Sequence, residues 1–276
     1  MAGNEQSTTP RLPGTASGAW DPVRYLHFAG ERGRPFVELV ARIAAESPAT
    51  VVDLGCGEGA LTASLARRWP DARITGVDSS ETMLAAAAAH AVPGRVEFVP
   101  GDVRDWQPTG PVDVLMTNAV LQWVPGHEDL LARWAGWLPP RGWLAVQVPG
   151  NFDFPTHRIL GELCRSPRWA AQLAHVPRGT DAVLEPAGYY DVLTGAGLTT
   201  DAWETTYLHV LTGPDPVLEW VRSTQLRPVL AQLDEDDGAE FTATYAAALR
   251  EAYPRRPDGT TLLPFRRIFA VGCRPS

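Results

Sequence analysis

The 276-residue sequence has only three cysteines, no lysine and no long apolar run. Cys56, Cys164 and Cys273 are far apart and form no CxxC pair, which argues against a disulfide framework or a zinc site. No stretch approaches the roughly 18 uninterrupted apolar residues of a membrane span. The 24 basic residues, all arginine, are outnumbered by 32 acidic ones, and the net charge of -8 argues against a nucleic-acid partner.

Residues 1–18 are rich in Gly, Ser, Thr and Pro and lack the basic head and apolar centre of a secretory signal. We interpret them as a flexible leader and expect a single domain over residues 19–276. We also expect a cytoplasmic monomer that needs no metal and contacts neither membrane nor nucleic acid.

Between Trp20 and Pro149, short apolar runs alternate with stretches of helical periodicity. This alternation predicts an α/β fold with a parallel sheet covered on both faces. The predicted strands are Thr50–Leu54, Arg73–Val77, Val96–Val99, Val112–Asn118 and Trp143–Val148, and the helices are Leu61–Trp69, Glu81–His90 and Asp129–Leu138.

The pattern is less regular after Pro149. The acidic run Asp234–Asp237 is interpreted as a solvated turn before a helix, not as a metal site. Helices are predicted over His157–Arg165, Tyr189–Ala196, Pro216–Ser223 and Ala239–Ala252, and strands over Asp201–Leu211 and Ile268–Cys273, which we expect to pair as a hairpin.

A glycine-rich loop, Asp53–Gly59, joins the first strand to the next helix. Its glycines allow a tight turn close to a ligand, but a dinucleotide site has the spacing GxGxxG and no leading acid. Asp53 can attract a sulfonium-bearing amino acid, Asp78 can accept hydrogen bonds from two ribose hydroxyls, and Asp102 can accept one from an adenine amino group. Any one of these acids alone fits an ordinary cap or turn, whereas three at successive strand ends indicate a ligand site.

These motifs resemble those of class I S-adenosylmethionine-dependent methyltransferases. Longer stretches, from Trp20–Ala29 through Gln122–Trp123 to Leu262–Arg267, resemble the trans-aconitate 2-methyltransferase family, from which Glu58 and Ala60 depart. The resemblance implies a Rossmann-like, seven-stranded, mostly parallel sheet with an antiparallel last strand. It also implies a small helical lid, which we assign to residues 150–195 and 214–256.

Class I enzymes bind their methyl donor along the carboxyl ends of the strands, and we assign the cofactor residues accordingly. The expected cofactor is S-adenosyl-L-methionine, with S-adenosyl-L-homocysteine as product. The assigned residues are Asp53, Gly55, Cys56, Gly57, Asp78, Ser79, Met83, Asp102, Val103, Asn118 and Ala119.

A carboxylate acceptor is already ionised at neutral pH, so its methylation needs alignment and desolvation rather than a general base. We interpret Gln122, Trp123 and His27 as catalytic, although Trp123 also fits a core residue and His27 a surface or core one. Arginine forks suit the other carboxylates of a polyacid. The expected substrate-binding residues are Tyr25, His27, Arg32, Gln122, Trp123, His157, Tyr190, Arg227 and Arg266.

The leading hypothesis is an O-methyltransferase that forms a methyl ester on a small polycarboxylate, with trans-aconitate as the expected acceptor. A malonyl-carrier-protein thioester or a natural-product small molecule is the alternative acceptor. A third hypothesis is a protein that binds the cofactor without catalysis; Gln122-Trp123 and the arginines favour an enzyme over it.

Overall fold

A computed structural model describes residues 33–176, 179, 182–222 and 224–276. In these ranges seven strands form one sheet in the order β3-β2-β1-β4-β5-β7-β6, and the first five pair in parallel. This confirms the predicted fold class. The strands are β1 Thr50–Leu54, β2 Arg73–Asp78, β3 Val96–Pro100, β4 Val114–Asn118, β5 Trp143–Pro149, β6 Thr199–Leu211 and β7 Thr261–Cys273.

Strand β7 runs antiparallel to β5. The Arg274 N–H donates to the Gly142 carbonyl at 2.8 Å, and the Gly150 N–H donates to the Arg266 carbonyl at 3.0 Å. The partner number in β7 therefore falls as the number in β5 rises, which is the antiparallel pattern. Counting from the first pair places Gln147 opposite Phe269.

Helices connect the strands, and side chains cap the helices that begin after Ser80 and Asp234. Ser80 caps α3 by accepting the Met83 N–H, and Asp234 caps α10 by accepting the Asp237 N–H. Helix α1 covers the described residues 33–41. The others are α2 Ala60–Arg68, α3 Glu81–Ala87, α4 His127–Ala135, α5 Pro155–Cys164, α6 Ala170–Leu173, α7 Pro186–Gly195, α8 Pro216–Arg222, α9 Arg227–Leu230 and α10 Glu235–Ala252, with 3-10 turns at Ala88–His90 and Leu121–Trp123.

The described residues fall into two compact units. The first contains residues 33–148, Leu184–Trp203 and Ile268–Ser276, and the second contains the described parts of Pro149–Val183 together with Glu204–Arg267. The first unit buries the apolar runs of the central strands, such as Val51 and Leu144, at 0% exposure. The second has its own core, which includes Leu160, Trp169 and Phe241.

Several predicted boundaries were wrong, and three of the differences have a local reason. The acidic run is not a turn: Asp234 caps α10, and the next three acids form its first turn, where the helix dipole favours negative charge. Helix α7 begins at Pro186, because proline is tolerated in a first turn. Strand β7 begins at Thr261, and it accommodates Pro264 because that segment precedes the part paired with β5.

In the part of the chain that the structure describes, no helix has both the length and the apolar character needed to cross a membrane.

Candidate functional site

The glycine-rich loop after β1 is anchored to the end of β2. The N–H groups of Gly55 and Cys56 donate to the Val77 carbonyl at 2.7 and 3.0 Å. The Gly57 N–H donates to the Asp78 carboxylate at 2.9 Å. These hydrogen bonds to the end of β2 fix the conformation of the loop.

Gly55 and Gly57 both have positive φ, at +82° and +56°, but their surroundings differ. A Cβ on Gly55 would lie 2.2 Å from Cγ2 of Val120, whereas a Cβ on Gly57 would meet nothing within 4 Å. Gly55 thus serves close packing against Val120, and Gly57 borders open space.

Asp53 is 3% exposed, and its Oδ2 accepts the Thr62 hydroxyl at 2.5 Å. Its Oδ1 has no hydrogen-bond partner among the described residues. Burial raises the pKa of Asp53 to about 6, partly offset by the Thr62 hydrogen bond, while nearby Asp78 raises it further. A buried acceptor of this kind suits a cationic ligand group.

Asp78 is oriented entirely by backbone donors. Its Oδ1 accepts the Ser80 N–H at 2.9 Å, and its Oδ2 accepts the Gly57 N–H. Each carboxylate oxygen keeps a further lone pair for a ligand hydroxyl. Near this carboxylate in the chain, Ser79 is exposed, and Met83 is 44% exposed.

Asp102, two residues beyond β3, is bound by its neighbour Arg104. The Arg104 backbone N–H and guanidinium donate to both Asp102 oxygens, and these hydrogen bonds lower the pKa of Asp102 to about 2. The adjacent Val103 is buried. Asp102 therefore offers a permanently ionised acceptor at neutral pH.

The end of β4 contains a strained turn. Ala119 has a φ of +59°, a left-handed value that is unfavourable for a residue with a Cβ. Its N–H donates to the Gln147 carbonyl at 2.9 Å, and its carbonyl accepts the Gln122 amide N–H at 2.6 Å. Trp123 is 50% exposed, so it is not a core residue.

Near the carboxyl ends of β1 and β4, three buried oxygens have no hydrogen-bond partner among the described residues: Asp53 Oδ1, Asn118 Oδ1 and Gln122 Oε1. Such atoms are costly unless a ligand or water donates to them. They fit the ammonium end of S-adenosylmethionine, while Asp78 and Asp102 fit its hydroxyls and amino group.

Burial raises the pKa of Cys56 to about 12, so its thiol stays protonated.

The expected acceptor residues are only partly described. Tyr25, His27 and Arg32 lie outside the described residues. In the first unit, Gln122 and Trp123 share one 3-10 turn, and Tyr190 is 39% exposed on α7. Its neighbour Tyr189 is fully buried, with its hydroxyl 2.8 Å from Nε2 of His127.

The second unit contains the other expected acceptor residues. His157 is half-buried on α5 beside Phe152, with ring centres 4.9 Å apart, and Arg227 is exposed at the start of α9. Arg266 donates to the Glu204 carboxylate and to the Gly150 carbonyl. Much of its hydrogen-bonding capacity is therefore used within the protein.

Sequence reasoning missed two buried polar residues of the first unit. Thr62 positions Asp53 from α2, and a hydroxyl nine residues further along the chain gives no recognisable signal. Gln147 was left unassigned, although it is the only polar side chain in the apolar run Trp143–Pro149.

The sheet order, the anchored loop and the acids at successive strand ends define a class I S-adenosylmethionine-dependent methyltransferase. Residues 51–142 match the family model described as "Methyltransferase domain". An S-adenosylmethionine-dependent methyltransferase from Thiobacillus denitrificans, solved with S-adenosyl-L-homocysteine, has the same fold. Its TM-score is 0.52 at 20% identity, covering 91% of this chain and 98% of that one.

The sequence comparisons narrow the class to a family. Trans-aconitate 2-methyltransferase of Streptomyces avermitilis is 53% identical over 92% of this chain and 96% of its own length. That of Streptomyces coelicolor is also 53% identical, over 96% of this chain and 89% of its own length. The chain belongs to the trans-aconitate 2-methyltransferase family.

Proposed function

We propose that this methyltransferase forms a methyl ester on one carboxylate of trans-aconitate. The observation that carries the proposal is 53% identity, over 96% of its length, to a relative named for that reaction. The buried oxygens of Asp53, Asn118 and Gln122, which lack partners among the described residues, support a cationic donor at the end of the central strands. The net charge of -8 favours a small-molecule acceptor over nucleic acid. We also infer a cytoplasmic monomer.

The protein's task in such a reaction is to position the reactants and exclude water. S-adenosylmethionine supplies an electrophilic methyl group on a positively charged sulfur. Asp78 and Asp102 hold the nucleoside part, and the Asp53 carboxylate attracts the amino-acid part. The acceptor carboxylate is already ionised, so no side chain has to remove a proton.

The acceptor's other carboxylates need donors. We assign this role to Tyr25, His27, Arg32, Gln122, Trp123, His157, Tyr190, Arg227 and Arg266. Arginine favours a polycarboxylate over a neutral acceptor, because its planar guanidinium can bind a carboxylate through two parallel hydrogen bonds.

Mass spectrometry of reaction products tests the proposal. The full-length protein is incubated with S-adenosylmethionine and, separately, trans-aconitate, cis-aconitate, citrate and a malonyl carrier protein. We expect a monomethyl ester of trans-aconitate and equimolar S-adenosyl-L-homocysteine. Methylation of the carrier protein alone, or cofactor binding with no turnover on any acid, would contradict the proposal.

A further inference from the structure

Gln147 is a polar residue in an otherwise apolar strand. It lies in β5, where it is 0% exposed, and the other residues of Trp143–Pro149 are apolar and buried. Neither its side-chain Nε2 nor its Oε1 has a hydrogen-bond partner among the described residues. Its backbone carbonyl accepts the Ala119 N–H, so its main chain is fixed.

The fold does not need an amide at this position. A buried polar group without a partner destabilises a protein relative to an apolar side chain of similar shape. Another buried glutamine, Gln225, shows the usual arrangement, because its Nε2 donates to the Tyr245 hydroxyl at 2.7 Å. The amide of Gln147 is therefore best explained by a group that is bound during function.

The sheet order indicates which group that is. Asp53 pairs with Met116 of β4, and Asn118, two residues further on, pairs with Gln147 of β5. Since side chains alternate along strands, Asp53, Asn118 and Gln147 point to the same face. Each step between strands is about 4.8 Å. With the nucleoside part of the donor assigned to β2 and β3 and its amino-acid part to β1 and β4, β5 lies on the acceptor side.

We propose that Gln147 binds a carboxylate of the acceptor and helps to select it; this inference rests on the proposed function. The amide N–H donates to a carboxylate oxygen. The amide oxygen, which has no partner among the described residues, is left to accept a second hydrogen bond in the complex. Asn118, which we assign to the donor, is the neighbour of Gln147 in register, so the acceptor carboxylate lies beside the donor-binding residues.

Two variants of full-length protein test the assignment, Gln147→Met and Gln147→Glu. Methionine keeps the length without polar hydrogens, and we expect the KM for trans-aconitate to rise about 10–100-fold. Glutamate adds a like charge, and its KM is expected to rise further. The Kd for S-adenosyl-L-homocysteine, measured by calorimetry, is expected to change less than about twofold, and the melting temperature of Gln147→Met is expected to stay level or rise.

Gln225→Met is the matched control. It removes a satisfied buried amide, so it is expected to lower the melting temperature while leaving the KM unchanged. An unchanged KM in Gln147→Met beside an active wild type would mean that the amide binds only water or is structural, and would overturn the assignment alone. A wild type that fails to methylate trans-aconitate would overturn the proposed function and, with it, this assignment.

Discussion

Polar side chains at the carboxyl ends of the strands form two groups that differ in their hydrogen-bond partners. We call Asp53 and Asp78, at the ends of β1 and β2, the carboxylate edge, and Asn118, Gln122 and Gln147, around the ends of β4 and β5, the amide edge. At the carboxylate edge the protein donates to three of the four carboxylate oxygens, through Thr62, Gly57 and Ser80, and Oδ1 of Asp53 is the one that has no partner among the described residues. At the amide edge each side chain has at least one buried polar atom without a partner among the described residues.

The difference separates what folding provides from what a ligand provides. Backbone donors fix the direction of Asp78 before any ligand is bound, so little reorganisation accompanies donor binding. The amide edge contains most of the unsatisfied atoms, and these particular atoms gain hydrogen bonds only in a complex. We therefore expect changes at the carboxylate edge to alter donor affinity, and changes at Gln147, the residue of the amide edge that is not assigned to the donor, to alter acceptor selection.

The largest effect on donor affinity is expected from replacing Asp78, which tests the role of the carboxylate edge. Asp78→Asn removes the charge that two ribose hydroxyls are expected to contact, and it turns an amide N–H toward the Gly57 or Ser80 donor. We expect the Kd for S-adenosyl-L-homocysteine to rise about 100-fold or more, because hydrogen bonds to a charged group contribute about 1.5–3 kcal/mol each. Isothermal titration calorimetry measures this directly.

Asp71→Asn is its control, since that exposed carboxylate lies near the other end of β2. It removes the same charge and is expected to leave the Kd unchanged. Equal losses in both variants would mean that overall charge, and not the position of Asp78, governs donor affinity.

The carboxylate edge could be predicted from the sequence, and the amide edge only in part. Buried parallel strands leave continuous apolar runs, and the acids that end them stand out. The partners of those acids, such as Thr62 and Arg104, depend on how a helix or loop packs. The role of Gln147 depends on an absence of partners, which no local pattern records. The strain at Ala119 is likewise hidden, because alanine is an unremarkable residue in any sequence.

Two glycines of the loop allow the effect of packing on stability to be measured separately from the effect on donor binding. In Gly55→Ala the new Cβ would overlap Val120 at 2.2 Å, and we expect the free energy of unfolding to fall by about 2–4 kcal/mol. In Gly57→Ala only the backbone is strained, and a loss of about 1 kcal/mol is expected. Urea denaturation measures both.

Donor affinity is the second measurement on these variants. Gly57→Ala is expected to raise the donor Kd by more than its small stability loss suggests, because its methyl group enters the open space beside Asp78. A Gly57 variant with unchanged donor affinity would place the ligand elsewhere and remove the loop from the site.

The last prediction concerns the pH dependence of Asp53. Burial raises the pKa of Asp53 from 3.8 to about 6 in the folded protein. Between these two pH values the folded protein without ligand therefore binds more protons than the unfolded chain does. The contribution of Asp53 to stability is therefore fully present below pH 3.8 and is lost as pH rises through about 6. Asp53→Asn removes this loss, and its free energy of unfolding near pH 8 is expected to exceed that of the wild type by about 1–3 kcal/mol.

Donor binding should show the opposite trend, because the cationic donor needs Asp53 ionised. Wild-type affinity is expected to rise about tenfold as pH increases through about 6, whereas Asp53→Asn is expected to bind weakly with a flat profile. Asp102→Asn provides the control. Its carboxyl, with a pKa of about 2, stays ionised throughout this range, so the substitution is expected to shift the affinity curve without changing its shape. If the donor affinity of Asp53→Asn still rises with pH, the titrating group is another residue, and Asp53 is only a structural partner of Thr62.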